Sequence, residues 1–298
     1  MPKAKVLFGA SGIKFSSEGE RHLGAVIGTS KFKETYVKTK VDNWVLDVKQ
    51  LASIGEEEPQ LAYSGFTKGL CHRWKYVQRT IAGIGHLFQP LENAIRDIFI
   101  PAIVGRKISD ADRTLFALPL RYGGLGIQDP TETSDEEFFA SCEISEELTT
   151  MILNQNTLID QLDKIKMKTR KAALKRRRET QFKEVYKSLY DVASDEQKKS
   201  LEMSCEKGSY SWLSALPLQS LGYILNKAEF HDAICLRYNW TIPNVHETCA
   251  GCGKKNDINH ALICKTGGYV SFRHDALKET EADLLKEVCR NVETEPGM

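Results

Sequence analysis

The chain has 298 residues, 41% apolar and 27% charged, and its 41 Lys and Arg nearly balance 40 Asp and Glu. That length allows about two domains, and 12 Phe, 10 Tyr and 4 Trp supply enough apolar bulk for a core, which excludes wholesale disorder. A net charge of +1 excludes a globally basic coat protein and an acidic chaperone, so any anion must be met by a local patch.

The start, MPKAKVLFGASG, has too short an apolar stretch for a secretory signal. The longest uncharged run, residues 208–226, is broken by Pro217 and Gly222 and does not read as a membrane span. The eight Cys are therefore read as thiols or metal ligands in a reducing, intracellular compartment.

In chain order, residues 5–30 read as short strands broken by glycine: KVLFG, GIKFS and HLGAVIG. From Ser30, Val37, Val41, Trp44, Val48 and Leu51 step by three or four and predict one helical face. A second helix is expected from Pro59 to about Ile81, with Phe66, Leu70, Val77 and Ile81 inward. A third is expected from Leu87 to Ile100, with Pro90 in its first turn and Pro101 as its stop. Ser134 with Glu137 and Ser194 with Gln197 fit capping boxes, and Ser109 with Asp112 and Asn226 with Glu229 fit looser versions. Residues 118–130, LPLRYGGLGIQDP, read as a turn-rich connection.

Charge is uneven along the chain: residues 1–150 carry net −2, residues 151–207 net +5 and residues 208–298 net −2. The middle excess lies in KIKMKTRKAALKRRR, residues 164–178, which holds nine bases and no acid. On a helix these bases surround the axis, which predicts an element outside the core, fit for phosphate contact or nuclear import. Its candidate contacts are Lys164, Lys168, Lys171, Lys175, Arg176, Arg177 and Arg178. On the second expected helix, Lys68, His72, Lys75 and Arg79 step by four, three and four, a basic stripe opposite the apolar face.

The most specific signal is Cys249, Cys252, His260 and Cys264, spaced C-x2-C-x7-H-x3-C. A Cys-x-x-Cys turn aims two thiolates at one ion, and Gly253 permits the tight turn. His260 and Cys264 share one helical face, so four soft ligands suit a closed, structural, tetrahedral zinc site. Arg273-His274-Asp275 follows without a nucleophile beside it. No catalytic residue is assigned: adjacent Asp pairs, a phosphate-binding loop and a G-x-S-x-G elbow are all missing from the sequence. GGLGI at 123–127 lacks the third glycine of a dinucleotide fingerprint.

HLGAVIG, FALPLRYGGLGIQDP and the cysteine–histidine box followed by Arg273-His274 occur in an order that resembles the C-terminal half of reverse transcriptases from non-LTR, LINE-type retrotransposons. The resemblance is to elements with a CCHC box before a restriction-like endonuclease, and it covers nearly the whole chain. It implies a mainly α architecture with a short N-terminal β segment. It further implies palm-end strands at 1–30, a helical thumb-like domain at 31–150, a basic helical linker at 151–207 and a helical segment at 208–246. Residues 247–298 would be the zinc module and the start of an endonuclease-like region. The family's polymerase carboxylates lie upstream of the palm-closing strand, and its endonuclease carboxylates follow Arg-His in a Pro-Asp pattern absent here. The expectation is therefore a nucleic-acid-binding fragment between two active sites, not an enzyme by itself. Its parent would be an RNA-directed DNA polymerase with an endonuclease, RNA or DNA its partner, and the nucleus its location, with Arg273 and His274 added to the contacts. A domesticated zinc-module protein that binds another protein is the alternative.

Overall fold

The structure, a computed structural model, describes residues 16–155, 162–243, 245–266 and 269–294, together with Val6 and Ser11. It is mainly helical, with one short antiparallel hairpin near the N-terminus. It divides into two compact units, Met1–Asn239 and Trp240–Met298. The segments that charge separates at 31–150 and 151–207, with most of 208–246, thus share one unit.

The strands expected at 5–9 and 12–16 lie almost wholly outside the described residues. The one expected at 22–28 is bent into a hairpin: β1 (Gly19–His22) pairs with β2 (Ala25–Gly28), Gly19 opposite Gly28 and His22 opposite Ala25. Leu23 at φ 48 and Gly24 at φ 81 make the turn, and the Tyr36 hydroxyl donates to the Gly24 carbonyl at 2.8 Å.

Helix α1 (Ser30–Gly55) starts at the Thr29 cap and buries Val37, Val41, Trp44 and Val48, as the period predicts; Leu51 is only half-buried, and Ala52 takes the next inward place. The second expected helix is not continuous. Helix α2 (Pro59–Lys68) ends at Gly69, a 3-10 turn covers Leu70–His72, and α3 (Lys75–Thr80) follows. Gly69 leaves helical geometry at φ −127, ψ −75, so the register counted from Lys68 to Arg79 is lost.

Pro101 does not stop the third helix. A 3-10 turn at Gly85–Phe88 leads into α4 (Gln89–Ala94), a π segment at Ile95–Phe99, and α5 (Ile100–Val104). Proline lacks an N–H and its ring crowds the carbonyl four residues back; the wider π turn accommodates both. The helix ends instead at Gly105, φ 75, whose N–H reaches the Pro101 carbonyl at 2.9 Å. Trp44 stacks on Phe88 at 6.2 Å and Phe66 on Phe99 at 4.5 Å, which joins these helices in one aromatic core.

Helix α6 (Asp110–Ala117) has the capping box expected at Ser109 and Asp112. The Ser134 box is not formed. Helix α7 (Pro130–Leu153) begins five residues earlier, capped at Asp129 rather than Ser134, with Pro130 in its first turn and the Asp129 carboxylate accepting from the Thr131 N–H. Ser134 is buried inside α7, and its hydroxyl has no hydrogen-bond partner among the described residues. Helices α8 (Leu162–Val192), α9 (Asp195–Cys205), α10 (Ser211–Ser214) and α11 (Lys227–Tyr238) complete the unit, α9 and α11 with the boxes expected at Ser194 and Asn226.

Residues 118–127 run between α6 and α7 through this unit's interior, with Leu125 and Ile127 buried. Gly124 is obligatory, because a Cβ there would sit 1.9 Å from the Leu118 carbonyl oxygen. Arg113 donates to both carboxylate oxygens of Glu92, at 2.6 and 2.7 Å, and to the Ile127 carbonyl at 2.7 Å. Burial is the larger influence on Glu92 and holds its carboxyl above the usual range, against the pull of Arg113. Removing one partner of a buried pair strands the other, at a cost of about 3–5 kcal/mol. Arg113→Met should therefore lower the unfolding free energy by about that amount. Urea denaturation checks it, and a loss within the scatter of surface substitutions would refute the role given to Arg113.

Candidate metal centre and cationic faces

The second unit builds its centre from a hairpin-like turn and a short helix. Thr248 bridges Lys255, the Cys249 N–H reaches the Lys254 carbonyl at 2.8 Å, and the Gly253 N–H reaches the Cys249 carbonyl at 2.8 Å. Gly253 sits at φ 70, the left-handed conformation expected of it. Helix α12 (Ile258–Ile263) is capped by Asp257, whose carboxylate accepts the His260 N–H at 2.7 Å.

This framework brings Cys249, Cys252, His260 and Cys264 together, with ligand atoms all within 4.8 Å of one another. The Cys249–Cys264 and Cys252–Cys264 Sγ separations are 3.6 and 3.8 Å, and Cys252 Sγ lies 3.1 Å from His260 Nε2. A tetrahedral ion with metal–sulfur bonds of about 2.3 Å has sulfur–sulfur edges of about 3.8 Å, so the donor set fits such an ion. The Cys252 N–H, then His260 and the Gly251 N–H, hold the Cys249 thiol down to about 6, which favours the thiolate that ligation needs. At Cys252 the Lys254 N–H pulls downward, but burial and the neighbouring thiols outweigh it and raise that group.

Helix α13 (Tyr269–Lys286) carries Arg273 and His274, both exposed, with His274 Nδ1 3.4 Å from the Asp275 carboxylate.

In the first unit the basic run does not stand clear of the core. Helix α8 packs antiparallel on the acidic side of α7. Arg178 pairs with Glu136 at 2.8 Å and Glu137 at 3.1 Å, Arg177 pairs with Glu143 at 3.2 Å, and Arg170 donates to the Glu143 carbonyl at 2.7 Å. Leu174 lies among them and is buried. Beyond the run, Glu179 accepts from Arg121 and from the Tyr122 hydroxyl at 2.6 Å, which holds its carboxyl down to about 2.

At about 100° per residue, Arg170, Leu174, Arg177 and Arg178 fall within an arc of about 100°. Lys168, Lys171, Lys175 and Arg176 occupy an adjoining arc of about 140°. These four are exposed and pair with no carboxylate among the described residues. Lys164 lies in α8, but its side chain is outside the described residues.

The basic stripe on α2 and α3 is dispersed. Lys68 is exposed at the end of α2 and Lys75 is half-buried at the start of α3. Arg79 pairs with Glu137 at 2.8 Å. Sequence reasoning missed the α7 carboxylates as the partners of the run. Their signal was present: Glu136 and Glu143 are seven apart, as are Arg170 and Arg177, which are repeats that two packed helices share.

Burial works to raise Glu137, but Arg79 and Arg178 outweigh it and the carboxyl lies below its usual range. A lowered folded value means stability that is complete above the unfolded Glu value, about 4.3, and is lost as pH falls through the folded value. Glu179 acts in the same direction. Hydrogen-exchange protection in residues 168–192 should therefore fall, relative to α1, between about pH 4 and the value of about 2 reached by Glu179. Parallel loss in both regions would remove these carboxylates as the anchors of α8.

No protein-family model, curated protein or solved structure matches the chain.

Proposed function

We propose that the chain binds nucleic-acid backbone, as a thumb-side fragment of a LINE-type reverse transcriptase. The observation that carries this reading is the division of cations on α8. Arg170, Arg177 and Arg178 are spent on α7, while Lys168, Lys171, Lys175 and Arg176 face solvent. A docked helix that keeps one row of cations unneutralised presents a rigid positive edge, which suits a phosphate strand. The order of the Gly-rich motif and the cysteine–histidine box supports the family assignment.

Four phosphate contacts give a logarithmic salt slope of about −2.8 for single strands or about −3.6 for duplex. Replacing Lys168, Lys171, Lys175 and Arg176 by Gln should flatten the slope by about three units and leave the thermal melt unchanged. Replacing Arg177 and Arg178 by Gln should do the reverse, lowering the melt with little change in slope. Fluorescence anisotropy of labelled RNA and DNA hairpins across a salt series measures both. An unchanged slope in the first variant would sink the assignment.

We propose further that the ion of the second unit is zinc. Four protein ligands fill a tetrahedron and leave no place for a reacting water, so its role is structural. Structural zinc contributes roughly 10–16 kcal/mol of apparent binding energy in small peptides, more than so short a segment gains from packing. Chelation should unfold residues 245–266, read by hydrogen exchange, and Cys252→Ser should lower the zinc content. Freshly purified protein without zinc would refute this.

One observation favours protein binding as a second reading: Leu277 and Leu284 on α13 are 65% and 61% exposed. Binding to a protein that is insensitive to salt, without RNA or DNA affinity, would select it.

A further inference from the structure

A second surface on the first unit is built from residues that the cationic edge does not use. Residues 208–226 are the longest uncharged run in the sequence, and Pro217 and Gly222 keep them from forming one helix. The second half of the run folds as a pinned loop. A 3-10 turn covers Gln219–Leu221, Gly222 follows at φ 67, and the Tyr223 N–H closes the loop on the Leu218 carbonyl at 3.2 Å. Gln60 of α2, itself buried, holds the outgoing chain. Its amide donates to the Tyr223 carbonyl at 3.0 Å and accepts from the Leu225 N–H at 2.7 Å.

The backbone of this loop is fixed, but its apolar side chains are not covered. Leu216, Leu218, Leu221, Tyr223 and Ile224 are between 43% and 56% exposed, and so is Leu61, the neighbour of Gln60 on α2. Single exposed leucines are ordinary on a protein surface, whereas so many on one short loop form a patch of the kind that marks an interaction site. The border of the patch is acidic. Glu56, Glu57 and Glu58 are exposed just ahead of α2, and Glu57 meets Lys227 at 3.4 Å. Across residues 50–67 and 208–230, Lys227 is the sole Lys or Arg, against those three carboxylates and Glu229.

We infer that this face docks a basic amphipathic helix of a partner protein, its apolar side laid over Leu218, Leu221, Tyr223 and Ile224 and its flanking Lys or Arg set against Glu56, Glu57 and Glu58. Charge complementarity selects this occupant. Nucleic acid and anionic lipid headgroups would meet like charge at the rim. A second copy related by a two-fold axis would set the same carboxylates against each other. An added β-strand needs an open sheet edge, and this segment offers only α10, the 3-10 turn and the start of α11. An amphipathic helix carries leucine-like side chains on one face and cations on its flank, which is the complement of an apolar patch with an acidic border. Because the loop is already ordered by Gln60 and the Leu218 carbonyl, little freedom is lost when the helix lands. This docking needs none of the α8 cations and is independent of the nucleic-acid reading.

Fluorescence anisotropy of a labelled helical peptide, with Leu at i, i+3, i+4 and i+7 spacing and Lys elsewhere, titrated with the full chain, tests the inference. Two control peptides accompany it, one with the order scrambled and one with Glu in place of Lys. The Lys peptide should bind saturably, and each control at least about 10-fold more weakly. Leu221→Ser with Ile224→Ser should weaken the Lys peptide about 10-fold. Glu56→Gln, Glu57→Gln and Glu58→Gln together should weaken it about as much and flatten its salt dependence, at an unchanged melting temperature, since these side chains are exposed. Lys168→Gln with Lys175→Gln should leave peptide binding as it is. Absence of saturable binding, equal affinity for the scrambled peptide, or unchanged affinity in either patch variant would overturn the docking site. Flotation with phosphatidylcholine vesicles that Leu221→Ser abolishes would overturn the protein partner in favour of a lipid surface.

Discussion

Backbone outside long helices can run through a protein interior only if its polar groups find partners there, and residues 118–127, regular only in the 3-10 turn Leu120–Tyr122, impose that demand on the first unit. Side chains from distant parts of the sequence meet it. Tyr63 donates to the Leu125 carbonyl at 2.8 Å, Tyr238 to Gly123 at 3.0 Å, Arg113 to Ile127 at 2.7 Å, and Arg237 to Leu120 at 3.1 Å. The donors come from three helices, Tyr63 on α2, Arg113 on α6, and Arg237 and Tyr238 on α11, so one stretch of peptide ties these helices together. Burial raises the hydroxyls of Tyr63 and Tyr238, which keeps both as donors. A further clasp repeats the device: Gln60 accepts from the Leu225 N–H at 2.7 Å and donates to the Tyr223 carbonyl at 3.0 Å.

The same loop connects the interior to the surface that the functional reading uses. Arg121 and Tyr122, within it, hold Glu179 and so anchor the middle of α8. Upstream of that anchor, three of the four arginines of α8 (Arg170, Arg177 and Arg178) meet α7, while Lys168, Lys171, Lys175 and Arg176 face solvent. The chemistry of the two side chains suits this division. A planar guanidinium can fork onto carboxylates and carbonyls at a packed interface, whereas an ammonium is strongly hydrated and better left exposed. Docking on α7 and exposure to solvent thus fall to different residues of one helix. The second unit is organised by local chemistry instead: its turn, its capped helix and its four soft ligands lie within sixteen residues of sequence.

What the sequence determined by itself was whatever depends on neighbours along the chain. The inward face of α1 follows from a period of 3.6, and the caps at Ser109, Ser194 and Asn226 follow from residues three apart. The cluster of Cys249, Cys252, His260 and Cys264 was legible because its spacing alone nearly dictates its geometry. The expected helix across 59–81, the stop at Pro101 and the cap at Ser134 failed because each depended on competition that the local pattern does not report. Gly69 broke a register, a π turn absorbed a proline, and Asp129 with Pro130 outcompeted a serine as a helix start. Tertiary structure alone decided which bases of residues 164–178 remain free, because neutralisation by Glu136, Glu137 and Glu143 requires α7 and α8 to lie side by side. It also decided that Arg237 is buried against backbone carbonyls, with no carboxylate paired to it among the described residues. Charge can be counted from a sequence, but whether a charge meets water, a carboxylate or neither is set by packing between residues far apart in the chain.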